Sequence, residues 1–85
     1  MESAILLCRM EYAVREEIIG VCLYAYQAGI AFEYSLELVQ GRDRMSSFVG
    51  QDLEAARMLL YRLALGGVTA CHFRDVVGDD LFAVL

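Results

Sequence analysis

Apolar residues recur along the first third of the chain at intervals that fit one side of a helix. Ile5, Leu6, Cys8, Tyr12, Ile19, Cys22, Leu23 and Tyr26 fall together, while Glu2, Arg9 and Glu16 repeat on another face. Ser3 offers an N-cap and Gly29 a left-handed residue after the last turn, so the pattern predicts helix 1 from Ser3 to Gln27 or Ala28. The apolar positions resume through Ile30, Phe32, Leu36 and Val39, opposite a polar stripe of Glu33, Glu37 and Gln40, which gives helix 2. A single bent helix running to Gln40 is the alternative. It would be about 60 Å long and would need a second chain to cover it.

The segment from Gly41 to Gly50 is polar and reads as a loop, with Ser47 or Gly50 placed to cap the next helix. Val49, Leu53, Ala56, Leu60 and Leu63 then form a seam at alternating spacings of four and three, helix 3, stopped by Gly66-Gly67. Thr69 caps a short helix from Ala70 to Val77, Gly78 interrupts it, and Asp79 caps a last turn through Val84. The expected fold is therefore all-α: a single domain over residues 1–85, built as a bundle of three main helices plus a short C-terminal helix. Val68, Phe73, Val76 and Val77 make the tail the place where a strand could replace a helix.

Composition adds a reason to expect a partner. The chain is 59% apolar, lacks proline, and carries a net charge of −5. A domain of 85 residues buries only about 60% of the surface its unfolded chain exposes, so part of that apolar inventory stays outside unless another polypeptide covers it. The surplus is densest from Ile18 to Phe32, the longest run without a charge. That run is shorter than the roughly 20 residues of a membrane-spanning helix, and the start of the chain lacks the cationic region of a secretory signal, so a cytoplasmic protein with no membrane partner is expected. The acidic balance and scattered arginines disfavour a phosphate backbone. Three cysteines, Cys8, Cys22 and Cys71, leave an odd count. On one helix Cys8 and Cys22 would stand about 21 Å apart, beyond disulfide reach.

Candidate chemistry is sparse. His72 is the sole histidine and adjoins Cys71, but neighbours on a helix point about 100° apart and cannot form a nucleophile and base with each other. Asp75, Asp79 and Asp80 do not have the spacing of a calcium loop. The outline of helix, Gly66-Gly67 and helix resembles a helix-turn-helix, although its second helix has Arg74 as its only cation. The run from Phe73 to Leu81 looks like the F-x-D-x-G-G-D-S-L attachment motif of peptidyl carrier proteins, with Asp80 standing at the modified serine and Val77 at a glycine, so no hydroxyl is present to acylate.

These observations predict no catalytic residue, cofactor, metal or small-molecule substrate. The expected function is a non-catalytic protein–protein interaction module, an adaptor, chaperone or inhibitor, and a homodimer through helix 1. Its partner surface is an apolar helix face of Ile19, Leu23, Tyr24, Tyr26 and Ile30, rimmed by Glu16, Glu33 and Glu37. Tyr24 and Tyr26, two residues apart on a helix, are expected to diverge, with one of them pointing outward. The alternative is a nucleic-acid-related regulator, either an acidic DNA mimic or a weak helix-turn-helix.

Overall fold

A computed structural model of the chain describes the backbone of residues 4–83 and the side chains of residues 4–78. Its first half is a sheet. Strands β1 (Ala4–Val14), β2 (Glu17–Ala28), β3 (Ala31–Gln40) and β4 (Asp43–Gly50) form an antiparallel meander in the order β1-β2-β3-β4, followed by helices α1 (Leu53–Leu65) and α2 (Ala70–Ala83). The expected all-α bundle is therefore incorrect: helices 1 and 2 are strands, and the Gly41–Gly50 loop is a turn plus β4. The residues of strand propensity in the tail belong to α2 and the loop before it. Ser3 and Val84 lie outside the described residues.

The physical reason lies in which spacings are diagnostic. Pairs four apart, such as Ile19 with Leu23 or Glu33 with Glu37, share a face in a helix and also in a strand. Pairs two apart separate the two periods, and here they favour the strand. Cys8, Met10, Tyr12 and Val14 alternate with Arg9, Glu11 and Ala13, while Tyr34, Leu36 and Leu38 alternate with Glu33, Ser35 and Glu37.

Turn chemistry supplies the rest. All three hairpins close with two-residue loops, between the pairs Val14↔Glu17, Ala28↔Ala31 and Gln40↔Asp43. In each, the first loop residue has a positive φ: Arg15 at 59°, Gly29 at 65° and Gly41 at 60°. A positive φ at the first position alone is the type II′ signature, whose twist matches that of the strands. Gly29 serves a II′ turn here, a conformation it shares with the residue that ends a helix.

The two helices roof one face of the sheet. α1 packs chiefly on β2 and β3, and α2 on β4 and β3. Ile19, Val21, Leu23 and Ala25 from β2 and Leu36 and Leu38 from β3 meet Ala56, Leu59, Leu60 and Leu63 of α1 and Phe73 and Val77 of α2. This single layer of contact is the core. Asp52, rather than Ser47 or Gly50, caps α1, its carboxylate accepting from the Ala55 amide at 3.2 Å. The stop at Gly66-Gly67 is observed: Gly67 has φ 60°, and the Val68 amide donates to the Leu63 carbonyl at 3.1 Å. Gly78, expected to break the second helix before an Asp79 cap, instead lies inside α2. Tyr12 joins sheet to roof by donating its hydroxyl to the Val68 carbonyl, and partial burial raises its pKa above the ordinary tyrosine value.

Candidate functional site: the uncovered sheet face

Alternation along the strands sends every second side chain away from the helices. On β2 these are Ile18, Cys22, Tyr24 and Tyr26, with Gly20 between them. Register carries the same face across the sheet in rows. One row runs Leu6, Tyr24, Ser35, Phe48; the next toward the charged end runs Arg9, Cys22, Glu37, Ser46; and a third runs Glu11, Gly20, Val39, Arg44. Nothing among the described residues covers this face.

The rows are graded in polarity. At one end Leu6 and Phe48 are half exposed and flank the partly buried Tyr24, with Tyr26 and Glu33 paired beside them. A shallow depression of about 350 Å³ lies there between Tyr26, Glu33, Ser35, Ser46 and Phe48. At the other end Arg9 and Glu11 sit 3.7 Å apart, both exposed, with Arg44 across the sheet. The Tyr24 hydroxyl has a raised pKa, first through partial burial and then through the neighbouring Cys22 and the Glu37 carboxylate, opposed by Arg44. An apolar patch beside separated charges of both signs can take a folded surface or an extended segment with matching groups.

The expected site residues divide between the two faces. Ile19 and Leu23 are in the core at 0% exposure, where they hold the roof and offer no surface. Tyr24, Tyr26, Glu33 and Glu37 come together on the open face, partly exposed. Glu16 and Ile30 stand at opposite ends of β2, in the β1–β2 and β2–β3 turns, both exposed. The expected divergence of Tyr24 and Tyr26 is incorrect for the same reason as the helix itself: residues two apart in a strand share a face. Leu6, Phe48, Arg9 and Arg44 belong to the surface and were not singled out for it. Three two-residue turns place Arg9, Arg44 and Phe48, because turn length fixes register, while Leu6 reaches this face only through the irregularity at Leu7.

Cysteine placement follows the same parity. Cys8 faces the helices and Cys22 the open side, on neighbouring strands, so their separation is one of face rather than of distance along a helix; all three cysteines are free thiols. Cys71 and His72 are exposed in the first turn of α2. They border a second depression, of about 1060 Å³, with Glu17, Gln40 and Asp43. Gln40 bridges sheet and helix there, donating to Glu17 and accepting from the Ala70 amide at 2.8 Å. The second helix of the helix-turn-helix outline turns Phe73 and Val77 into the core. Among the described residues no helix is long and apolar enough to cross a membrane, and no group of three or more metal-ligating side chains is present.

The class these elements define is a two-layer α+β sandwich, a four-stranded antiparallel meander roofed on one face by a helical pair. No family model matches the chain, and no curated protein or solved structure matches it either.

Proposed function

We propose that this chain is a non-catalytic protein-binding module whose partner seats on the uncovered sheet face. The observation that carries the reading is the row Leu6, Tyr24, Ser35, Phe48, which places three large apolar or aromatic groups in line across all four strands, away from the roof. Aromatic side chains give large contact area for few rotors, and they dominate interface energetics when a polar rim excludes water around them. Arg9, Glu11, Glu33, Glu37 and Arg44 supply that rim.

Total exposure points the same way. The chain exposes 5954 Å² for a mass of 9.5 kDa, where size scaling gives roughly 5,000 Å² for a compact monomer. The molecule is a slab with Cα extents of 42 × 31 × 16 Å, so its broad side has room for the about 800 Å² per partner that a standard interface buries.

The test is affinity capture from the native host with the wild-type chain, a Phe48→Glu variant and a Met58→Glu variant. Met58 is 61% exposed on α1, on the roof side of the molecule, so its substitution is the control. A protein retained by wild type and by Met58→Glu but lost from Phe48→Glu, with all three equally folded by circular dichroism, is the expected outcome. Identical retention by all three would remove the open face from the function.

A further inference from the structure

The two edges of the sheet are not alike. β4 is the shorter, opens with Asp43 and Arg44, and has α2 packed along it. β1 is longer, and Ile5, Leu6 and Leu7 are each about half exposed. Charged residues, shortness and a covering helix are the devices that keep an edge from pairing with another chain. β4 has the charges and the shortness and carries α2 on its helix side, and β1 has the Arg9 and Glu11 charges and an irregularity at Leu7.

The roof covers β1 only in part. On β2 the helix-facing residues Ile19, Val21 and Leu23 are fully buried, yet the adjoining row on β1, Cys8, Met10, Tyr12 and Val14, remains only half covered. Among the described residues β1 therefore lacks a neighbour in the plane of the sheet and a complete cover above it. A strand from a second molecule would supply both: it would pair the free backbone groups and extend the half-covered row.

Charge placement says which strand fits. Arg9 and Glu11 both lie on the open side, opposite Cys22 and Gly20, two positions apart around Met10. An antiparallel two-fold pairing of β1 with itself, centred on Met10, sets each Arg9 opposite the partner's Glu11. Other centres fail this test. Centred on Arg9 or on Glu11, the pairing sets that charge against its own copy; centred on Cys8, Arg9 faces the partner's Leu7 and Glu11 faces the partner's Ile5.

We propose that two copies of this chain pair β1 to β1, antiparallel about an axis at Met10, making one continuous eight-stranded sheet with both helix pairs on the same side. The regular ladder spans Cys8 to Tyr12, where Leu7 ends it. On the helix side Cys8 lies opposite the partner's Tyr12, and Met10 opposite the partner's Met10. The open faces merge into one larger surface, so this proposal stands whether or not a second protein binds there.

Three charge variants test it by sedimentation over a concentration series. Arg9→Glu and Glu11→Arg each set like charges opposite one another at two places in the dimer, so each alone should associate roughly tenfold or more weakly than wild type. An equimolar mixture of the two restores opposite charges at every contact, and should regain the wild-type dimer mass, as should the double variant R9E/E11R. Register is read separately by Met10→Cys in a background with Cys8→Ser and Cys71→Ser, the latter removing the exposed thiol of α2; this variant should form a disulfide-linked dimer on mild oxidation. Wild type that stays monomeric to high micromolar concentration overturns the proposal. So do single variants that dimerise as well as wild type, a mixture that does not recover while each variant is folded, or cross-linking through native Cys8 with none through the cysteine at position 10.

Discussion

Leu23 and Tyr24 are adjacent in the chain and belong to different surfaces. Leu23 points under the helices and is wholly buried; Tyr24 points to the uncovered side and meets its neighbours only along the sheet. The same parity divides every strand, so one covering layer over four strands leaves a face whose apolar groups are held in place by the fold and are not used to hold it together. Substitutions on the covered face should change stability, and those on the open face should change association.

The largest break in that contrast is Phe73→Ala, which empties a site at 0% exposure where α2 meets the sheet. A loss of about 3–5 kcal/mol is expected by urea denaturation, a large share of a small domain's total. Next is Tyr12→Phe, which takes a hydrogen bond from the Val68 carbonyl and loosens β1 from the roof. About 1 kcal/mol should be lost.

The same variant sharpens the pH dependence. Tyr12 has its pKa raised in the folded chain, so the folded state holds the proton more tightly than the unfolded one. The associated stability is fully present below the ordinary tyrosine value of about 10 and is lost as pH rises through the folded value. Denaturation curves for wild type should show this alkaline decline, and those for Tyr12→Phe should show less of it.

Smaller effects belong to the boundaries of the two layers. Asp52→Ala removes the cap that starts the roof and should lower stability by about 1 kcal/mol in the same assay. Arg15→Gly acts on the sheet alone. Arg15 is the non-glycine residue at positive φ among the described residues, in a turn position where the other two hairpins have glycine, and the substitution should raise the melting stability by roughly 0.5–1 kcal/mol.

How far the sequence could be read depends on the region. The second half is legible in part: Ala56, Leu60 and Leu63 of the expected seam and the stop at Gly66-Gly67 are features of α1 as observed, whereas Val49 of that seam belongs to β4 and Leu53 is exposed. The first half misleads because half or more of β1 and of β3 is Leu, Ala, Glu and Met, which favour helices in isolation, and because spacings of four suit either period. Gly29 compounds the ambiguity, since a positive φ there fits a helix end and a II′ turn equally well. The strongest contrary signals were the two-residue alternation from Cys8 to Val14 and the recurrence of Gly-X at Gly29-Ile30 and Gly41-Arg42.

For the surface, Tyr24, Tyr26, Glu33 and Glu37 were within reach of the sequence as individual residues, but their common face was not, because faces are assigned by period. A helical period groups Ile19 and Leu23 with them, whereas the strand period sends both into the core. Phe48 and Leu6 could be added only by counting across the turns, and for Leu6 the irregularity at Leu7 shifts the count by one.

The unfolding free energy of Leu23→Ala beside that of Tyr24→Ala, under one set of conditions, reads the division of the two faces most directly. The division of faces predicts a loss of about 2–5 kcal/mol for Leu23→Ala, from the cavity it leaves beneath the helices, and a loss under about 1 kcal/mol for Tyr24→Ala. Equal losses, or the larger loss at Tyr24, would contradict it.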